Sequence, residues 1–236
     1  MSSNLDQFDQ PTRFVGRQTE LGELTLLLQN PDCRLLTLIG VGGIGKTRLA
    51  IQLARLQQSA FQEGAWFVNL QPLQSGTLIV PAVIDALGVV PSGHGSLENQ
   101  LLQYLQGRQI LLLFDNFEHV LDAVPLLTKI LQRAPQVKLL VTSREALSLP
   151  GEWLYPLEGL PTPHSFQADH VEFSTAVQLF VERARQVRPN FSLPENRPSV
   201  VRICQLVTET PWRSRWLPRG QNPCTARRSR PRSSKI

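Results

Sequence analysis

Eight consecutive residues carry the clearest chemistry in the chain. Gly40, Val41, Gly42, Gly43, Ile44, Gly45, Lys46 and Thr47 fit the spacing G-x-x-x-x-G-K-[ST] without a gap. Glycines at these positions let backbone N–H groups turn inward and ring a phosphate chain. A helix opening at Lys46 adds the favourable partial charge of its N-terminus. Lys46 would reach the β- and γ-phosphates, and the Thr47 hydroxyl would ligate Mg²⁺. The plainer reading is a glycine-rich turn with a chance lysine. The apolar run before the loop and the helical pattern after it favour phosphate binding.

Three further side chains extend this chemistry. Asp115 ends the apolar run Ile110 to Phe114, and a carboxylate there can hold Mg²⁺ directly or through water. Its alternative role is a helix N-cap, because Asn116 and a helical pattern follow. Hydrolysis also needs a group to orient or deprotonate water. Asn116 is no base, and Glu118 is the nearest carboxylate. Glu118 either polarises water or is a solvated residue in a first helical turn. Thr142-Ser143-Arg144 closes another apolar run. Arg144 there could meet a γ-phosphate and report its presence, or be a surface arginine after a turn. Its place at the carboxyl end of a strand, where open α/β sheets bind ligands, favours the first role.

These groups need a scaffold, and the patterning supplies one. Leu21, Leu24, Leu27 and Leu28 mark a helix over 20–29. Strands are expected at 34–39, 65–70, 110–114, 137–141 and 152–157. Helices are expected at 46–59, 78–87, 97–105 and 120–132, with loop chemistry at Pro91 to Gly95. Strands alternating with helices imply a parallel sheet covered on both faces, and the runs are apolar throughout as that requires. Residues 156–163 read as a linker. Helices at 171–187 and 198–207 then form a second, helical unit. The first ten residues are expected to fray.

Composition bounds the rest. The chain has 236 residues, 42% hydrophobic and 18% charged, an ordinary globular balance long enough for a sizeable core. No apolar run approaches the roughly 18–20 residues of a membrane span. The N-terminal segment is polar and has no secretory pattern. Cys33, Cys204 and Cys224 are far apart, which implies a reducing cytoplasm and no zinc site. His94, His119, His164 and His170 show no metal spacing. The net charge of +5 misleads. Residues 211–236 hold eight basic residues and no acid, so the remaining 210 carry sixteen basic against nineteen acidic residues, net −3. The basic excess gives the folded body no nucleic-acid surface.

The ordered set of motifs resembles a family. It runs Phe14-Val-Gly-Arg17 with Glu20-Leu21, the loop Gly40 to Thr47, Leu111-Leu-Leu-Phe-Asp115-Asn-Phe-Glu-His119, Leu140-Val-Thr-Ser-Arg144, Gly151-Glu-Trp-Leu-Tyr-Pro-Leu157 and Ala184-Arg-Gln-Val-Arg-Pro-Asn-Phe191. Over roughly residues 12 to 211 the chain resembles the NB-ARC-like branch of the STAND signalling ATPases, as found in bacterial LuxR-type regulators. The resemblance implies an α/β fold, a P-loop domain of the additional-strand type with a parallel five-stranded sheet. The Thr142 strand would lie between the Gly40 and Asp115 strands. It implies a nucleotide switch, closed with ADP and opened on exchange for ATP, with Mg²⁺ as cofactor. Self-association would run through the nucleotide-binding domain, and DNA contact only through effector domains not seen here. It assigns nucleotide contacts to Val15, Gly16 and Arg17, to the loop Gly40 to Thr47, and to Arg48 and Pro211. Asp115, Glu118 and Arg144 are the candidates for hydrolytic chemistry, and Thr47 and Asp115 for the metal.

The chain departs from the family near its end. Glu209 stands where the pattern has glycine, and Trp212 onward lacks the expected apolar helix. Permitted codons for Pro211 to Asn222, read from their third base, spell Leu-Ala-Ile-Ala-Leu-Ala-Ala-Ala-Trp-Thr-Lys, the helix expected there. The expectation is a frame lost after Pro211. The domains are then a disordered 1–11, a nucleotide-binding 12–160, a partial helical 161–210 and a disordered basic tail 211–236. Poor stability would follow from uncovered helix faces. Rivals to a cytoplasmic ATP/ADP switch with slow or no hydrolysis are a turnover ATPase, a basic nucleic-acid arm in the tail, and a non-functional truncated product.

Overall fold

The computed structural model describes residues 3–8, 12–91, 95–163, 165 and 170–208. Five strands form one parallel sheet: β1 (Leu35–Ile39), β2 (Ala65–Asn69), β3 (Leu111–Asp115), β4 (Lys138–Ser143) and β5 (Glu152–Pro156). Their order is β2-β3-β4-β1-β5. The inserted strand β4 thus lies between β1 and β3, as the resemblance implies.

Alternate strand residues feed two separate cores. Leu112, Phe114, Leu139 and Val141 point to one face, where they meet α3 (Ile79–Ala86), α4 (Leu97–Leu105) and α5 (Val124–Arg133). Leu36, Leu38, Leu111, Leu113 and Leu140 point to the other, under α1 (Gln18–Gln29) and α2 (Lys46–Gln57). Period-two side-chain alternation with both faces covered explains why the strands read as unbroken apolar runs.

Several boundaries differ from expectation for local reasons. The helix expected from residue 120 begins only at Val124, after two 3₁₀ turns at Phe117–His119 and Leu121–Ala123. Pro125 sits in its first turn, where the N–H that proline lacks has no partner within the helix. The last helix, α7 (Leu193–Thr208), starts five residues before the expected 198 and carries Pro198 inside it. The helix expected from 171 splits into a 3₁₀ turn at Val171–Phe173 and α6 (Thr175–Val187).

The N-terminus is a correction. Residues 3–8 do not fray but fold onto the open edge of β2. Asn4 makes a two-bond clamp there: its Nδ2 donates to the Phe67 carbonyl at 2.9 Å, and its Oδ1 accepts from the Phe67 N–H at 2.7 Å. Leu5 is buried, and the Phe8 ring lies 4.2 Å from the Phe67 ring. The side-chain amide imitates a strand partner and removes part of an unpaired edge.

Helices α6 and α7 form a small third core of Val171, Val177, Val181, Val200, Val201 and Cys204. This unit leans on the segment before α1. A Cβ on Gly16, whose φ is +74°, would fall 2.1 Å from the Thr175 methyl. Only a glycine allows this approach. Arg183 also donates to the Thr12 hydroxyl. Residues 209–236, including the proposed frame change, lie outside the described residues.

Candidate nucleotide-binding site

The carboxyl ends of β1, β3 and β4 lie side by side, and these ends with the segments that follow them supply six side chains: Lys46, Thr47, Asp115, Glu118, Thr142 and Arg144. The loop after β1 turns through Gly43 and Gly45 at φ +79° and +97°. A Cβ at either position would meet nothing within 4 Å, so backbone conformation and not crowding selects glycine. Gly45 is the N-cap of α2 and supplies no capping side chain. The first-turn N–H groups of that helix therefore face the loop without a side-chain acceptor.

Lys46 is buried, and its ammonium donates to the carbonyls of Gly40 at 2.7 Å and Val41 at 3.1 Å. No carboxylate forms an ion pair with it among the described residues. Burial pushes its pKa down, and the charge of Glu118 opposes that more than the charge of Asp115 does. A buried cation held only by carbonyl dipoles is suited to an incoming anion.

Asp115 closes β3 and is almost fully buried. Its Oδ1 accepts from the Thr47 hydroxyl at 2.7 Å and from the Thr142 hydroxyl. The capping alternative for Asp115 does not match this geometry. Asn116, in the left-handed region at φ 61°, caps the following turn and makes no side-chain cap bond. Burial pushes the Asp115 carboxyl up; the two hydroxyl donors and Lys46 pull it down, and Glu118 pushes it further up. A buried carboxylate paired with a threonine hydroxyl at the start of a phosphate-loop helix has the donor set for a hard divalent cation. These residues fit a nucleotide with Mg²⁺.

Thr142 is the residue that sequence reasoning passed over. It lies in the Thr-Ser-Arg stretch already singled out, but only Arg144 was given a role. Its hydroxyl joins Asp115 Oδ1 to the N–H of Asn116, 3.0 Å away. It therefore orients the carboxylate and fixes the turn that carries Glu118.

Arg144 follows β4 directly. Its Nε lies 3.0 Å from Glu118 Oε1. Its Nη2 is 3.5 Å from the position a Cβ on Gly42 would take, so the guanidinium lies against the phosphate loop. The Glu118 side chain is 10% exposed against 63% for Arg144. The second carboxylate oxygen of Glu118 is buried and has no hydrogen-bond partner among the described residues.

The remaining expected site residues take up a supporting arrangement. Arg17, left-handed at φ 65°, pairs with Glu20 and donates to the carbonyls of Ile44 at 3.4 Å and Glu158 at 2.6 Å. The segment Val15-Gly16-Arg17 is thereby tied to the phosphate loop, with Val15 half-buried. Arg48 donates to the carbonyls of Thr12 at 2.7 Å and Arg13 at 2.9 Å. It holds the same segment against α2. Pro211 lies outside the described residues.

Comparison with known proteins bears on the same span. A family profile described as "AAA domain" matches residues 29–147, just over half of the chain. That stretch holds the phosphate loop, Asp115, Glu118 and Arg144. At 34% identity over 190 residues the chain aligns with a Mycobacterium tuberculosis protein named as a candidate HTH-type transcriptional regulator, covering 79% of this chain and 20% of that protein. At 33% identity over 204 residues it aligns with an uncharacterized protein of the same organism, covering 85% of this chain and 48% of that protein. The regulatory protein AfsR of Streptomyces coelicolor aligns at 36% over 131 residues, 48% of this chain and 13% of its own. The chain thus spans less than half the length of each of these relatives. Among solved structures, Cdc6p from Pyrobaculum aerophilum superposes with a TM-score of 0.52 at 19% identity, covering 75% of this chain and 51% of that one. The Aeropyrum pernix ORC2 protein superposes at 0.50 with 14% identity, covering 77% and 55%. At such identities the likeness concerns the fold alone. The profile match over the strands and loops that assemble this site places the chain in the AAA domain family, as a P-loop nucleotide-binding domain.

Proposed function

We propose that this domain is an ATP/ADP switch of the NB-ARC-like STAND type, working inside a larger signalling or transcriptional regulator. The observation that carries the reading is Lys46. It is a buried ammonium whose hydrogen bonds, among the described residues, go to loop carbonyls, beside an Asp115–Thr47 pair suited to Mg²⁺. Arg144 lies against the loop where a γ-phosphate would report its presence. Slow or absent turnover is supported by Glu118, which is engaged by Arg144 and so is not a free base. The regulator names of two relatives support placement in a regulator. Self-association is assigned to the nucleotide domain and DNA contact to effector segments outside it. A cytoplasmic setting is supported by Cys33, a buried free thiol. No helix of the described residues is long and apolar enough to cross a membrane.

A turnover ATPase is the second reading. It is favoured by the second oxygen of Glu118, which has no partner among the described residues and could accept a hydrogen bond from water. The loss of frame after Pro211 is a separate proposal about the coding sequence. Codons for 211–222 that cannot spell the apolar helix in the shifted frame would dismiss it.

The test is direct binding of fluorescent ADP and ATP with Mg²⁺, beside Lys46→Ala. Binding that the variant loses by about a hundredfold or more, the scale of about 2.7 kcal/mol, is expected. Equal binding by both chains would reject the reading.

A further inference from the structure

The phosphate-binding cations of this site already have an anion among them. Glu118 lies on the 3₁₀ turn Phe117–His119 directly after β3. It pairs through Oε1 with Arg144 Nε at 3.0 Å, and its side chain is nine-tenths buried. Its Oε2 has no partner among the described residues. Such a carboxylate is not a solvated surface group; it faces cations. One is Arg144. The other is Lys46: burial pushes that amine down, and among nearby charges Glu118 does most to oppose this.

We infer that Glu118 is a specificity-determining residue, holding with its carboxylate the Arg144 guanidinium that a third phosphate would need, and so biasing the site toward nucleoside diphosphate. This rests on the nucleotide-switch reading and deepens it. A diphosphate can occupy the loop and the α2 N-terminus with Arg144 still on Glu118. A γ-phosphate must take Arg144 from Glu118, and it then sits beside a buried carboxylate that has lost its partner. The repulsion is paid only by the triphosphate. The pairing also accounts for the two exposures: the fixed member is the buried glutamate, and the member free to move is the arginine, whose Nη2 already lies against Gly42.

The experiment compares Mg²⁺–ADP with a non-hydrolysable Mg²⁺–ATP analogue by calorimetry or fluorescence, so that no turnover enters the readout. Glu118→Gln keeps the shape and an acceptor for Arg144 but removes the charge. It is expected to tighten the triphosphate analogue about tenfold, equivalent to about 1.4 kcal/mol, and to change ADP affinity by less than about twofold. Glu118→Asp withdraws the carboxylate by one methylene and is expected to shift the ratio the same way by less. Weaker triphosphate binding in Glu118→Gln would overturn the inference and make Glu118 a positioning residue for Arg144. An unchanged ratio of the two affinities in Glu118→Gln would overturn it. Failure of both variants to fold beside a folded parent would also overturn it, by making the carboxylate part of the fold. A parent chain that binds neither nucleotide would remove the switch reading itself, whereas a parent that binds both with the same ratio as Glu118→Gln removes this inference alone.

Discussion

Two threonines on neighbouring strands should respond to the same substitution with opposite signs. Thr37 is in β1 and Thr142 in β4, and both are fully buried. The Thr37 hydroxyl has no hydrogen-bond partner among the described residues. The Thr142 hydroxyl donates to Asp115 Oδ1 and accepts from the Asn116 N–H. Threonine to valine replaces a hydroxyl by a methyl at nearly constant shape. At Thr37 it removes a buried polar group that gains nothing in return, so Thr37→Val should stabilise by about 1–2 kcal/mol. At Thr142 it deletes a bond to an ionised carboxylate, about 1.5–3 kcal/mol, and strands a backbone N–H for about 1 kcal/mol more. The added methyl offsets part, leaving Thr142→Val less stable by about 2–3 kcal/mol. Chemical denaturation followed by tryptophan fluorescence would read both. Melting shifts should be about +2 to +8 °C and about −4 to −12 °C, at roughly 2–4 °C per kcal/mol for a chain of this size. Shifts of the same sign would refute the reasoning, because they would mean that hydrogen bonding of the hydroxyl does not decide the outcome.

Asp115→Asn should abolish the Mg²⁺ dependence of nucleotide binding while leaving the chain folded, read by titrating Mg²⁺ at fixed nucleotide. Its pH dependence has a definite sign. Burial raises the Asp115 carboxyl above its ordinary 3.8, so the folded state holds that proton more tightly than the unfolded state does. The stabilisation this provides is full below the unfolded value and is lost as pH rises through the folded one. The asparagine variant therefore gains stability relative to the parent across that interval as pH rises, and denaturation midpoints measured from acid to neutral pH would show it. At the β2 edge, Asn4→Ala removes both bonds to the Phe67 backbone. It should cost about 1–3 kcal/mol locally and speed hydrogen exchange at the Phe67 amide, with exchange in β3 unchanged.

The parts of this molecule that were legible in its sequence are those governed by local rules. The phosphate loop was readable because glycine, lysine and threonine each act there through their own backbone or side chain. The strands were readable because both-face burial writes an unbroken apolar run. Helix starts were less so: the segment of two 3₁₀ turns after β3 carries Phe117 and Ala123 in the turns and Val120 between them, which continue a helical-looking pattern without forming a helix. The clamp by Asn4 was not legible at all. A polar residue near a terminus reads as solvated, and only its position beside an open strand edge turns its amide into a strand partner.

Thr142 shows where the boundary between the two lies. Its role depends on which strand is its neighbour. Once β4 is placed between β1 and β3, the parallel register that sets Phe114 opposite Val141 carries Asp115 and Thr142 to the next step together. Neighbouring residues in register on parallel strands project to the same face. The pairing of a carboxylate with a hydroxyl at the end of those strands therefore follows from strand order, one level above the motif. The same step carries Arg144 past the end of the sheet toward the turn that bears Glu118. An exchange of the two strands would break both contacts while leaving every motif in the sequence intact. The coupling between Asp115, Glu118 and Arg144 is thus a property of the topology, and double substitutions of Thr142 with Glu118 should be non-additive in stability because Thr142 fixes the Asn116 N–H from which the Glu118 turn departs.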